Sequence, residues 1–160
     1  PEAQLDRFIM KISMGSLTQQ QELEMLDRYI HEEPLAHIEA VCTGEDIRLL
    51  QRACREVFIH DDLKNYIVSL VQETRRHKSG VQGSAAAGVS PRGTLAFARA
   101  AQGMALVNDR DYVVPEDIKA VAVPVLGHRL VGEFEEVQKN AFIQKLLDSV
   151  ALPTEDWSKR

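Results

Sequence analysis

Residues 88–93 carry a strong local signal, and they read Gly88-Val89-Ser90-Pro91-Arg92-Gly93. Serine is a preferred N-cap residue, because its hydroxyl accepts a backbone N–H at the start of a helix. Proline is favoured at the next position, where its fixed φ suits a helix and its missing N–H is not needed. The sequence therefore predicts that Ser90 caps a long helix beginning at Pro91. The apolar face of that helix includes small residues, which would allow a close helix neighbour: Leu95, Ala98, Ala105 and Leu106.

Helical spacing of apolar residues recurs on both sides of this helix. Thr18 and Gln21 form a capping-box pattern, and Pro115 occupies a typical first helical position. We expect Pro124 to kink or end the helix that Pro115 opens. The polar tail after Pro153 is expected to be loose, and the Gly/Ser/Ala composition of residues 79–90 predicts a flexible loop. The further predicted helices span residues 18–30, 43–57, 61–77, 115–125 and 135–150, so the fold class is mainly α.

The segment Phe8–Met14 differs from the rest, because its apolar residues alternate loosely before Gly15. This pattern predicts a short strand followed by a turn. A single strand cannot satisfy its own backbone hydrogen bonds, so its partner strands would have to lie outside this sequence. Residues from Pro1 onward do not resemble the start of a domain, and we therefore expect the sequence to be a piece of a longer protein.

Composition narrows the classes of function. The net charge of −5 argues against a general nucleic-acid or anionic-membrane binder. No apolar run approaches the ~18 residues that a membrane span requires, and no signal peptide is visible. Cys42 and Cys54 form no CxxC pair, which favours reduced thiols and a cytoplasmic protein. The five histidines show no helical metal-ligand spacing, so no metal site is predicted.

Two arginines are candidates for chemistry. Arg92 falls in the first turn of the capped helix, where free backbone N–H groups and the helix dipole favour phosphate. Its guanidinium adds a fork of donors that fits phosphate oxygens. Arg7 follows Asp6 directly before the predicted strand. On residues alone, both are better explained as surface arginines, and Asp6 with Arg7 as a surface ion pair.

A family resemblance changes this balance. The segment Pro1-Glu2-Ala3-Gln4-Leu5-Asp6-Arg7-Phe8 resembles the region after sensor 1 in MoxR-type AAA+ ATPases, and Ser90-Pro91-Arg92-Gly93 resembles their sensor 2 motif. The end of their helical lid is similar to Asp111-Tyr112-Val113-Val114-Pro115-Glu116-Asp117-Ile118 and to Pro124-Val125-Leu126-Gly127-His128-Arg129-Leu130. The motifs occur in the family's order from Pro1 to about Val131. Magnesium-chelatase ATPase subunits share the Leu-Asp-Arg-Phe feature.

The resemblance implies a helical AAA+ lid bundle preceded by a short strand and helix from the α/β ATPase core. Residues 1–32 would be the core remnant, 33–131 the lid domain with sensor 2, and 132–160 a C-terminal helix and tail. Arg7 would be the arginine finger acting on a neighbouring subunit, and Arg92 the sensor 2 arginine. Ser90 and Pro91 would join Arg92 at the nucleotide, and Asp6 would orient Arg7.

The parent protein would then be a cytoplasmic ATP hydrolase using ATP and Mg²⁺ for chaperone-like remodelling. Its partners would be its own N-terminal AAA+ core, neighbouring subunits of a ring homo-oligomer (a hexamer), and a von Willebrand factor A-domain protein, with no nucleic acid or membrane. The sequence contains no G-x-x-x-x-G-K-[ST] phosphate loop and no Walker B strand. We therefore expect this chain alone to bind neither ATP nor Mg²⁺ and to be inactive.

Two alternatives stay open. The first is a non-enzymatic helical domain that binds a partner protein, in which Arg92→Ala would be harmless. The second is a winged-helix-like nucleic-acid module, which would show salt-dependent DNA retention.

Overall fold

The computed structural model describes residues 2–76, 88–130, 136–154 and 156–158. The predicted mainly α fold is confirmed, with each long helix close to its expected place. The α-helices are α1 (Glu2–Leu5), α2 (Gln19–His31), α3 (Gly44–Glu56), α4 (Asp61–Arg76), α5 (Pro91–Val107), α6 (Pro115–Leu126) and α7 (Glu136–Ser149). Two short 3₁₀ helices are Pro34–His37 and Gly127–Arg129. Most of the predicted loop over residues 79–90 lies outside the described residues.

The chain forms two compact units, one of residues 12–50 and one of residues 1–11 with 51–160. The second unit is a helix bundle in which α5 packs on α4 and α6, and α7 packs on α4 and α6. Its core is apolar, with Phe97, Leu63, Ile67, Leu70 and Ile118 completely buried. Helix α7 contributes the buried residues Ile143, Leu146 and Leu147. The predicted domain boundaries at residues 32 and 131 stay predictions.

Local capping signals explain where the helices begin. Ser90 is the N-cap of α5 with Pro91 at its first position, and Thr18 and Gln21 form the predicted capping box of α2. At α6 the side chain of Val114 has no oxygen to offer as a cap. Asp117 supplies the other half of the box instead, because its carboxylate accepts the Val114 N–H at 2.9 Å. Helix α6 continues through Pro124 and ends two residues later at Leu126.

The prediction of a strand over Phe8–Met14 is wrong. These residues have no regular secondary structure, and none of the described residues provides a neighbouring strand. The described chain has one isolated parallel bridge, between Phe58 and Tyr112. Backbone groups of residues 8–11 bind helix ends and the Arg129 side chain instead of a strand.

The unit of residues 12–50 buries little apolar surface. None of its residues is buried by other residues of the described chain. Helix α2 has an amphipathic sequence, yet Leu23, Leu26 and Ile30 are 50, 50 and 71% exposed. Because short helices are stabilised mainly by packing of their apolar face, this exposure indicates a surface suited to a partner.

The C-terminal tail contacts the bundle in its described part. The ring centroids of Trp157 and His60 lie 5.8 Å apart in an edge-on arrangement, and Trp157 packs against the buried core. This contact differs from the loose tail that we expected after Pro153, because the indole gives an otherwise polar segment apolar area to bury. Among the described helices, none combines the length and the apolar character needed to cross a membrane.

Candidate functional site

Arg92 lies in the first turn of α5, as predicted. The Ser90 hydroxyl caps this turn by accepting the Gly93 N–H at 3.3 Å, and Pro91 occupies the first helical position. The Arg92 side chain is exposed. Within the described residues it has no carboxylate partner in a salt bridge. The helix end therefore presents an exposed guanidinium beside backbone N–H groups, an arrangement suited to an anion.

Arg7 is also exposed, just beyond the end of α1. Its guanidinium carbon lies 5.4 Å from the centroid of the Phe8 ring, within the range of a cation–π contact. The Phe8 N–H donates to the Leu5 carbonyl at 3.1 Å, which closes the turn that carries Arg7. Among the described residues, no carboxylate forms a salt bridge with Arg7.

Asp6 joins the segments that carry the two arginines. The Ser90 hydroxyl donates to the Asp6 carboxylate, with both carboxylate oxygens 3.0 Å from Ser90 Oγ. Asp6 thus binds the N-cap of the helix that carries Arg92, and Arg7 is the next residue along the chain. Residues 84 positions apart in sequence are brought together by this one carboxylate.

Arg129 is the principal site residue that sequence reasoning missed. Its side chain is 1% exposed, and its Nε donates to Asp6 Oδ1 at 3.2 Å. The remaining guanidinium donors bind backbone carbonyl oxygens of Asp6 and Ile9, each at 3.1 Å, and of Phe8 and Val125. A guanidinium has five N–H donors, so every donor of Arg129 is used.

Burial and charge act together on this arginine. Burial lowers the pKa of Arg129 below its ordinary value, and the nearby positive charge of Arg92 adds to that shift. The attraction and hydrogen bond of the Asp6 carboxylate oppose it. An arginine stays charged in proteins despite such shifts. The Asp6–Arg129 pair is therefore a buried charge with one carboxylate partner and a full set of hydrogen bonds, the condition under which buried charges are tolerated.

His128 adds a second contact to the same segment. Its Nε2 lies 3.2 Å from the Phe8 carbonyl oxygen, and its Nδ1 lies 3.1 Å from the Pro124 carbonyl oxygen. Burial and the neighbouring Arg129 lower the pKa of His128, which favours the neutral ring. The Phe8 and Pro124 carbonyls also accept from Arg129 and from the Lys11 N–H, so a neutral imidazole leaves neither carbonyl without a donor.

Gly93 leaves the space through which the Arg129 side chain passes. A Cβ atom on Gly93 would lie 2.8 Å from Arg129 Cδ and 2.3 Å from Val89 Cγ1, both too close for carbon atoms. The glycine of the Ser90–Gly93 motif is therefore explained by packing against Arg129. Arg129 itself left a signal in the sequence, since it is a charged residue at the end of the apolar run 121–130.

The arrangement is suited to recognising an anion. It combines two exposed guanidiniums, a helix N-terminus and an ion pair of the buried Arg129 with the partly exposed Asp6, which restrains their backbones. No group of three or more metal-ligating side chains occurs in the part of the chain that the structure describes.

Comparison with known proteins agrees with these features. Residues 77–146 match the AAA lid domain family. The chain is 41% identical over 159 residues to the uncharacterized protein YeaC of Bacillus subtilis, covering 97% of this chain and 48% of that protein. It is 37% identical over 161 residues to the chaperone MoxR1 of Mycobacterium tuberculosis, covering 96% and 42%. The crystal structure of a candidate ATPase from Cytophaga hutchinsonii has a TM-score of 0.79 at 32% identity, covering 96% and 49%. The chain thus spans about half the length of these relatives.

Proposed function

We propose that this chain, which belongs to the MoxR-type AAA+ ATPases and includes their helical lid, senses bound ATP through Arg92 and supplies Arg7 to a neighbouring subunit. The observation that carries the proposal is the contact made by the Asp6 carboxylate. It joins residues 6–11, called here the Arg7 segment, to the N-cap of the helix that carries Arg92. Both arginines are exposed on segments whose backbones are fixed, as a phosphate-recognising group requires.

The chemistry of phosphoryl transfer explains the two roles. Negative charge is spread over the transferred phosphoryl oxygens in the transition state, so fixed positive charge near them accelerates the reaction. An arginine donated in trans contributes about 10³–10⁵ in rate where this has been measured. In this proposal Arg92 contacts the phosphate held by its own subunit, and Arg7 contacts the phosphate held by the next subunit.

The residues of this chain fit part of a nucleotide site. Arg92 and the first turn of α5 can bind a phosphate oxygen, while Ser90 and Pro91 shape that turn. The phosphate loop and the acidic Mg²⁺ ligands have no counterpart in the sequence. ATP and Mg²⁺ would therefore be held mainly by the N-terminal AAA+ core, and we expect no hydrolysis by this chain alone.

The exposed apolar surface of residues 12–50 supports contact with such an N-terminal AAA+ core. Leu23, Leu26 and Ile30 follow one face of α2 and are at least half exposed. We propose that this face packs against the core of the parent protein. A ring homo-oligomer, a hexamer, a von Willebrand factor A-domain partner, chaperone-like remodelling and a cytoplasmic location follow from the resemblance and stay predictions.

Substitution of Arg92 tests the sensing role. In the full-length parent, Arg92→Ala should lower ATP turnover by about 10-fold or more, because it removes a charge that meets the phosphate. The matched control is Arg76→Ala, which removes an exposed arginine paired with Glu73 in the last turn of α4. Turnover of the control should stay near that of the wild type.

The alternative function remains a non-enzymatic helical domain that binds a partner protein. Its supporting observation is the exposed apolar face of α2. In that case Arg92→Ala and Arg76→Ala would both leave ATP turnover of the parent unchanged, and the proposed sensing role would be refuted.

A further inference from the structure

We infer that Arg129 is a positioning residue that holds the Arg7 segment in place and links it to the start of α5. The carbonyl groups of Asp6 and Phe8 flank Arg7 in the chain, and the Arg129 guanidinium binds both. The same guanidinium also binds the Ile9 carbonyl and the Asp6 carboxylate. One buried side chain thereby fixes the backbone on each side of an exposed arginine.

Polar contacts are the main restraint on this segment. Residues 8–11 have no helix or strand, and Phe8, Ile9 and Met10 are 52, 49 and 37% exposed. Burial of apolar area therefore contributes little to their position, in contrast to the core of the bundle. Besides Arg129, the restraints include the Lys11 N–H donating to the Pro124 carbonyl at 2.9 Å, the Lys11 ammonium paired with Glu136 at 3.0 Å, and the contact of His128 with the Phe8 carbonyl.

The geometry connects the two arginines through a short chain of contacts. Arg129 binds Asp6, Asp6 binds Ser90, and Ser90 caps the turn that carries Arg92. Movement of the α5 N-terminus relative to the Arg7 segment would break the Ser90–Asp6 bond. Resting on the function proposed above, the inference is that Arg129 keeps Arg7 in register with the sensor helix, so that a subunit presents Arg7 correctly to its neighbour.

A lysine cannot replace this arginine. Lysine has three donors on one nitrogen, whereas the five donors of Arg129 are spread over a planar fork that reaches five acceptors. Arg129→Lys preserves the charge but should release the carbonyls flanking Arg7. Since misplacement of a catalytic group by about 1 Å can lower a rate by about 10²-fold, we expect ATP turnover of the full-length variant to fall by that order.

Mixed oligomers distinguish positioning of Arg7 from general support of the fold. Arg129→Lys in the full-length parent is mixed with a variant that lacks the phosphate-loop lysine but retains Arg7. If Arg129 serves the delivery of Arg7, the mixture should regain at least half the activity of the corresponding mixture made with Arg7→Ala. A structural or sensing defect would damage the subunit's own nucleotide site, and mixing would restore nothing.

Two controls keep the outcomes separate. The Arg7→Ala mixture tests the proposed function: if it fails to recover, the role of Arg7 is wrong whatever Arg129 does. If it recovers and the Arg129→Lys mixture does not, the inference about Arg129 is wrong while the proposed function stands. Should Arg129→Lys fail to assemble, Asp6→Asn is mixed in its place, because it keeps the side-chain shape and removes the charge that pairs with Arg129. Recovery by Asp6→Asn supports the inference, and a lack of recovery overturns it.

Discussion

At Gly93 the backbone of α5 passes so close to the Arg129 side chain that no Cβ atom fits between them. The buried guanidinium can reach its acceptors only because this position carries no side chain. Gly93 thus belongs to the same cluster of contacts as the Asp6 carboxylate and the Arg129 guanidinium.

Gly93→Ala should destabilise the chain by about 1–3 kcal/mol, the usual range for overpacking a filled site. Urea unfolding followed by fluorescence of the single tryptophan, Trp157, measures this. Gly103→Ala is the matched control in the same helix, because its Cβ would meet only Cys54 Sγ at 3.9 Å. The control should be neutral or stabilising by up to about 1 kcal/mol. Equal effects at the two positions would contradict the packing argument.

The titration of His128 can be read from its surroundings. Burial and the positive charge of Arg129 lower its pKa, so the folded state favours the neutral ring more than the unfolded state does. The contribution of the neutral ring to the free energy of unfolding is fully present above the ordinary histidine pKa of about 6.5. It is lost as the pH falls through the lowered pKa of His128 in the folded chain.

Acidification from pH 7.5 to pH 5 should therefore destabilise the wild-type chain more than His128→Gln, which has no titrating group at that position. Urea unfolding at several pH values gives the difference. A larger acid sensitivity of the glutamine variant would show that the folded state binds the proton at His128 instead of excluding it.

At the scale of single elements, the helices could be predicted because their signals are local. Ser90 with Pro91 and Thr18 with Gln21 lie within four residues of the N–H groups that they serve, so their spacing predicted α5 and α2. The prediction of a strand over Phe8–Met14 was wrong because strand pairing is not a local property. A strand depends on a partner strand distant in sequence, and the alternating pattern alone could not show that residues 8–11 bind Arg129 and Pro124.

The start of α6 depends on a contact that its own sequence only partly shows. Asp117 is 2% exposed and accepts two hydrogen bonds from the Arg110 guanidinium, at 2.6 and 2.7 Å, besides the Val114 N–H. The side-chain hydrogen bond from Arg110 to Asp117 raises the pKa of Arg110. This pair fixes the loop before α6 as well as the helix start.

Asp117→Ala should therefore destabilise the chain by about 3 kcal/mol, because it leaves a backbone N–H without its cap and removes the partner of a half-buried charge. Thermal or urea unfolding provides the measurement. Glu116→Ala, an exposed acidic residue in the same turn, should change stability by less than about 0.5 kcal/mol. A loss of similar size in both variants would mean that helix-dipole charge, and not the Arg110–Asp117 pair, stabilises this end.

For the whole molecule, the two compact units differ in what stabilises them. The bundle unit has a buried apolar core, whereas no residue in the 12–50 unit is buried within the described chain. The sequence predicted the apolar face of α2 but not that this face would stay exposed. Composition and periodicity show which residues are apolar, and they cannot show whether the partner belongs to the same stretch of chain.

Leu26→Gln combined with Ile30→Gln should change the unfolding free energy of this chain by less than about 1 kcal/mol, because both side chains are at least half exposed. In the full-length parent the same pair should weaken packing against the core and lower its melting temperature by several degrees. Leu70→Ala, at a completely buried position, is the contrasting variant and should cost about 2–5 kcal/mol in either context. Unchanged melting of the full-length double variant would refute the proposed docking of α2.

The link between Asp6, Ser90 and Arg129 spans the bundle unit from its first residues to its last 3₁₀ helix. Rules based on residue spacing could not predict contacts between residues that are 84 and 123 positions apart. The family resemblance predicted that Arg7 and Arg92 act on the nucleotide. The contacts that connect their segments could be seen only in the folded structure.

The most direct test of the central claim is an ATPase mixing experiment on the full-length parent. One variant carries Arg7→Ala, and the other lacks the phosphate-loop lysine, so each should be nearly inactive alone. We predict that mixed oligomers recover activity, because an intact Arg7 from one subunit then meets an intact nucleotide site on its neighbour. Full turnover by Arg7→Ala alone would contradict the claim, and so would a mixture of assembled oligomers that stays inactive.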